Sequence, residues 1–137
     1  MPRTPLPAEY LDALRQPNKC VVATIRPNGE LSTAATWYEL VDDQHILLNL
    51  DATRARMKHM RADPHVALTI FATDDWYSHV SVSGEVVEFR EDEGMVDIDR
   101  IAEHYTGRPY ADRERDSQSV LIRITSWHAW NMPKVAG

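Results

Sequence analysis

The 137 residues carry a formal charge of −6 and a single cysteine, Cys20, which fits one domain over 1–137 rather than a catalytic unit plus a separate cofactor unit. The acidic balance argues against nucleic acid as the main partner, because phosphate backbones are bound by surplus Lys and Arg, and one cysteine leaves no intramolecular disulfide. No apolar run approaches the roughly 20 residues that span a bilayer and no apolar signal core follows Met1, so the expected setting is cytoplasmic and away from membranes.

Leu6, Tyr10, Leu11 and Leu14 recur at three-and-four spacing behind Pro5 and Pro7, which predicts a short amphipathic helix ending near Pro17 and lidding one end of a core. From Lys19 the pattern turns to strand. Cys20 to Ile25 is one β-rich run, and Pro27-Asn28-Gly29 is the turn chemistry of a hairpin. Leu31 to Leu40 reads as the returning strand and Ile46 to Leu50 as the next, completing a three-stranded meander. Thr53 is placed to cap a helix running to about Ala62, with Met57, Met60 and Ala55 facing inward and Asp63-Pro64 closing it. Val66 to Phe71 and Tyr77 to Phe89 are strands, the second interrupted at Gly84, where a strand glycine marks a bulge or bend. Met95, Ile98, Ile101, Ala102 and Tyr105 form the apolar stripe of a further helix, stopped by Gly107 and Pro109. A polar loop from Tyr110 to Ser117 leads to the last strand, Val120 to Trp130, and 131–137 is a tail.

Six strands joined largely by hairpins, with helices at ends and crossings, predict a mainly β fold: a six-stranded antiparallel barrel over 18–130 behind the helix of 1–17. A doubly wound sheet would need a helix after nearly every strand, and the first strands are joined by short turns. A barrel of this size fills its interior with side chains, so a large cofactor would lie outside it, in a groove shared between two subunits.

The segment Leu50-Asp51-Ala52-Thr53-Arg54-Ala55-Arg56-Met57-Lys58 carries the clearest chemical signal. Cations in a helix's first turn oppose its dipole, so Arg54 and Arg56 look misplaced unless an anion is bound nearby. Two guanidiniums and the Lys58 ammonium can clamp a phosphate from several sides. The competing reading is that they pair with Asp51 or coat a solvated surface helix. No Gly-x-Ser-x-Gly elbow occurs, and Cys20 lies in an apolar run, as a core cysteine would. The six histidines show no His-Glu-x-x-His spacing and no Cys-x-x-Cys accompanies them, so no metal site is expected. Trp127 and Trp130, three apart in a strand, point to opposite faces.

The stretches Val22 to Gly29, Ser32 to Tyr38, and Thr53 to Pro64, followed by Tyr77 to Gly84, His104-Tyr105-Thr106-Gly107 and the strand through Trp130, carry a likeness in their order and spacing. Together they resemble the pyridoxamine 5′-phosphate oxidase-like split β-barrel family, and within it the actinobacterial enzymes that use the deazaflavin coenzyme F420. The resemblance implies a homodimer with the cofactor in a groove at the interface. It places Arg54, Arg56 and Lys58 at the phosphate, Asn49 and Ala52 along the cofactor, and Thr36 and Trp37 on the strand that walls the ring pocket. Tyr77 and His79 fall on the strand that the other subunit presents, with His79 the one candidate proton donor. The implied activity is a reductase that moves hydride from reduced F420 to an electron-poor conjugated small molecule, such as an enone, lactone or quinone. Flavin mononucleotide (FMN) members use a related basic segment, so an FMN-dependent oxidase or reductase is the alternative enzyme, and a non-catalytic protein that binds or stores F420 is the other. In each case the cofactor carries the hydride chemistry and the chain supplies position, dryness and hydrogen bonds.

Overall fold

A computed structural model describes residues 5–72 and 75–132. The elements follow in the order α1 (Ala8–Leu14), β1 (Lys19–Ile25), β2 (Leu31–Thr36), β3 (Glu39–Leu40), β4 (His45–Asp51), α2 (Ala55–Ala62), β5 (His65–Phe71), β6 (His79–Glu91), α3 (Val96–Thr106) and β7 (Ser117–Trp130). Of the tail at 131–137, all but Asn131 and Met132 lies outside the described residues.

All strand pairs are antiparallel, in the order β2-β1-β5-β6-β7-β4-β3. The two edge strands, β2 and β3, are neighbours in sequence, joined only by Trp37 and Tyr38, so the chain itself closes the sheet into a split barrel. This corrects the expectation of one strand from Leu31 to Leu40 and makes seven strands of six. The meander is corrected with it: β2 pairs with β1, whereas β3 pairs with β4. The physical reason is Tyr38, which is buried at the break. Its hydroxyl donates to Leu14 O at 2.6 Å and accepts from Asn18 Nδ2 at 2.9 Å, and turning inward to reach them interrupts the strand.

Alternation along β1 sends Cys20, Val22 and Thr24 inward and leaves Lys19 and Val21 on the outer face. One apolar cluster fills the barrel, from Leu6, Leu11 and Leu14 at the α1 end through Leu48, Ile70 and Val82 to Ile122. Tyr10 of α1 meets Trp127 edge-to-face at 5.7 Å, while Trp130 is exposed on the opposite face, as the three-residue spacing requires. The long β6 and β7 bend together at register shifts beside Gly84. A Cβ there would stand 2.6 Å from Arg123 O and 2.8 Å from Ile122 Cγ2, so the bend admits only glycine.

Two details of the helices differ from expectation. Thr53 does not cap α2: its amide and hydroxyl both donate to Asp51 Oδ1, at 2.9 and 2.8 Å, and Arg54 occupies the cap position with no side-chain cap. Ala55 is exposed, and His59 is buried instead with Met57 and Met60, its Nδ1 2.9 Å from Thr24 Oγ1. Gly107 ends α3 in a left-handed conformation (φ 79°), as read from the sequence.

Candidate functional site

Outside the barrel, against the outer face of β1 and β2, lies an open groove of about 770 Å³, within the range of small-molecule sites. Val21 and Ala35, paired across β1 and β2, form its floor. The C-terminal end of β4, the start of α2, one side of α3 and the loop before β7 form its walls.

One wall is cationic. Arg54 and Arg56 both line the groove, and Arg56 Nη1 is buried with no hydrogen-bond partner among the described residues. Burial, and then the charge of Arg54, hold the Arg56 pKa below its ordinary value, yet an arginine keeps its proton under such pressure. The first turn of α2 holds no acid. Asp51, which also lines the groove, is engaged by Thr53, and those two hydrogen bonds chiefly lower its pKa, with the charge of Arg115 adding to them. Among the described residues none of Arg54, Arg56 and Lys58 has an ion-pair partner. Buried polar groups are normally satisfied, and two neighbouring cations at an uncapped helix start suit an external anion. Lys58 is exposed on α2 and does not line the groove.

The opposite wall is aromatic. Trp37 lies nearly parallel to Tyr105 of α3, with centroids 5.2 Å apart and planes at 14°, and Tyr110 meets Trp37 edge-on at 6.1 Å. Tyr105 is fixed by its hydroxyl, which donates to Asn18 O at 2.7 Å, and burial raises its pKa. Thr36 lines the groove, but its hydroxyl donates to Trp37 O at 3.0 Å. Cys20 at the floor is pushed up to about 12 by burial, which keeps it a thiol and no nucleophile.

Asn49 lines the groove, yet its side chain is committed to the protein. Nδ2 donates to Asp92 Oδ2 and Ser119 Oγ, both at 3.1 Å. Oδ1 accepts from Arg115 Nη2 at 2.9 Å and lies 3.0 Å from Ser117 Oγ, whose single proton is shared with Asp92 Oδ2 at 2.9 Å, so both amide protons and the oxygen are engaged within the protein. Buried Asp92 in turn accepts the amides of Asp97 and Ile98, at 2.8 and 3.0 Å, holding the start of α3. Sequence reasoning missed Arg115, Tyr105 and Tyr110 as groove residues. Their loop and helix positions carry no local signal for it.

Ala52 sits just past β4, its amide donating to Asp116 O at 2.9 Å, and does not line the groove. Tyr77 and His79 lie elsewhere too. His79 stacks on Trp130 with centroids 6.3 Å apart and planes at 6°, beside an aromatic patch in which Trp76, Tyr77 and Trp130 are 79%, 67% and 53% exposed. Phe71 connects the two regions: it lines the groove and lies 6.1 Å from Trp76 and 6.0 Å from His79. Among the described residues no His, Cys, Asp and Glu cluster could hold a metal ion. A cationic end, a flat aromatic wall and no nucleophile paired with a base suit a site that holds an anionic planar ligand and leaves the chemistry to it.

The family described as Pyridoxamine 5′-phosphate oxidase is matched over residues 6–131. No curated protein matches the chain. Among solved structures, the chain is similar to an F420 reductase at 25% identity and a TM-score of 0.80, covering 90% of this chain and 98% of that one. It is similar to a conserved hypothetical protein from Mycobacterium tuberculosis at 24% identity and a TM-score of 0.61, covering 98% and 93%. An FMN-binding protein from Syntrophomonas wolfei subsp. wolfei, at 13% identity and a TM-score of 0.62 over 84% and 78%, shares the fold.

Proposed function

This chain belongs to the pyridoxamine 5′-phosphate oxidase family, which it matches over residues 6–131, and from that premise we propose that it is a reductase dependent on coenzyme F420. Its substrate is an electron-poor conjugated small molecule of the enone, lactone or quinone type. The observation that carries the reading is the buried, unpartnered Arg56 Nη1 beside Arg54. Support also comes from the likeness to an F420 reductase.

When bound, the coenzyme supplies the hydride. Arg54 and Arg56 would hold its phosphate, with Lys58 adding attraction from the exposed side of α2. Trp37, backed by Tyr105, would wall the ring and keep water from that side. A second copy of the chain closes the open side of the groove through the patch of Trp76, Tyr77 and Trp130, bringing Tyr77, in the turn before β6, and His79, the first residue of β6, to the site, with His79 as proton donor. Among the described residues no helix is long and apolar enough to cross a membrane, and a cytoplasmic setting belongs to the same proposal.

The test is turnover: reduced F420 mixed with the protein and a panel of enones, lactones and quinones, followed by the return of coenzyme fluorescence. Reoxidation that depends on both protein and acceptor is expected. Tight binding without turnover would make it a storage protein, and a stoichiometric yellow flavin in the purified protein would make it FMN-dependent.

A further inference from the structure

Arg115 lines the groove in the loop before β7, beside the end of β4, where Asp51 pairs with Ser117 and the Ala52 amide donates to Asp116 O at 2.9 Å. Three features fix its guanidinium: Nη2 donates to Asn49 Oδ1 at 2.9 Å, the group lies 4.6 Å over the Tyr110 ring, and the residue is half-buried. Its Nε is buried and has no hydrogen-bond partner among the described residues. Asn49 gives both its amide protons to Asp92 and Ser119 and turns its oxygen to Arg115, so its side chain is committed within the protein. Its place at the groove therefore serves Arg115. The neighbouring Arg113 shows the contrast: its guanidinium is paired with Asp99 at 2.6 Å.

We propose that Arg115 is a further anion-binding residue of the groove, in addition to the Arg54 and Arg56 pair, and that Asn49 is its positioning residue. The group it takes is an oxyanion, phosphate or carboxylate, of the bound ligand. Fork-shaped recognition by a pre-oriented arginine suits either. The inference rests on the coenzyme reading for the ligand's name, though not for its charge.

The test measures dissociation constants by fluorescence titration for wild type, Arg115→Ala, Arg115→Lys, Asn49→Ala and the double variant. Three probes are used: intact F420, F420 without its glutamate tail, and the deazaflavin chromophore lacking both phosphate and tail. Arg115→Ala is expected to weaken F420 binding about ten- to a hundredfold while leaving the bare chromophore within about twofold. Retained chromophore binding also reports that the variant is folded. Arg115→Lys recovers only part of the loss, because the fork is missing. Asn49→Ala weakens F420 binding less, and the double variant is no worse than Arg115→Ala, as expected when one residue acts through the other. A loss that persists with the tail-free coenzyme assigns the phosphate, and one that disappears assigns a tail carboxylate. Equal loss for the bare chromophore, or additive effects of the two substitutions, overturns the proposal.

A parallel arm keeps the two readings apart by recording the shift in melting temperature with pyrophosphate. If wild type binds no F420 but pyrophosphate stabilises it clearly more than it stabilises Arg115→Ala, the coenzyme reading fails and Arg115 stands. If pyrophosphate stabilises both proteins equally, or neither, with F420 unbound, Arg115 fails.

Discussion

Trp37 and Tyr105 lie face to face, centroids 5.2 Å apart, although one sits where the barrel is split and the other on α3. Tyr105 also contacts the break directly, its hydroxyl 3.4 Å from the Tyr38 amide. The interruption that separates β2 from β3 thus turns an aromatic wall toward the groove.

Removing that wall tests its part in binding. Trp37→Ala is expected to weaken binding of the bare deazaflavin chromophore about three- to tenfold, the scale of a lost aromatic contact. Tyr105→Phe, which keeps the ring and loses the bond to Asn18 O, should leave it nearly unchanged. Fluorescence titration of both variants separates stacking from hydrogen bonding.

Cys20 makes stability depend on alkaline pH. Burial lifts its pKa from 9.0 to about 12, so above pH 9 the unfolded chain has lost a proton that the folded chain keeps. The contribution is complete below pH 9 and falls as pH rises toward 12, by up to about 1.4 kcal/mol per pH unit. Urea melts from pH 8 to 10.5 should show wild type losing more stability than Cys20→Ala. A parallel decline in the two proteins would refute the assignment.

At the bend of β6, Gly84→Ala forces a methyl against Arg123 O. Backbone cannot step aside as a side chain can, so a loss of about 1–3 kcal/mol or more is expected in denaturant titration. Gly29→Ala, in a turn with open space but φ +87°, should cost less, about 1 kcal/mol.

The exposed patch of Trp76, Tyr77 and Trp130 is the surface expected to dimerise. Light scattering should report twice the chain mass for wild type and one chain mass for Trp130→Arg. F420 affinity should fall in step with the dimer fraction. A wild-type monomer that binds coenzyme tightly would remove the second subunit from the site.

Local periodicity made most elements readable: the β1 alternation, the α3 stripe and its Gly107 stop, and the Gly84 bend are written in neighbouring residues. The break at Trp37 and Tyr38 was not, because it depends on Leu14 O and Asn18, which reach Tyr38 only after α1 docks. The Thr53 cap failed for a nearer reason, since Asp51 two positions earlier captures the hydroxyl. Arg54 and Arg56 stood out because two cations at a helix start break a local electrostatic rule. Arg115 broke none. In sequence it resembles Arg113, and only the folded chain distinguishes the two, by setting Arg113 against Asp99 and bringing Asn49 beside Arg115 through the β4 and β7 pairing.

The cationic start of α2 is the centre of the functional reading, and Arg56→Ala addresses it most directly. Titrating F420 into wild type and Arg56→Ala, with FMN alongside, should quench coenzyme fluorescence at one equivalent per chain. The substitution should raise the dissociation constant about ten- to a hundredfold, and added salt should weaken wild-type binding more than that of the variant. Thermal stability should hold, because the substitution removes a partly buried cation that lies beside another. If Arg56→Ala and the double variant with Arg54→Ala bind F420 as tightly as wild type, or if FMN binds more tightly than F420, the account is contradicted.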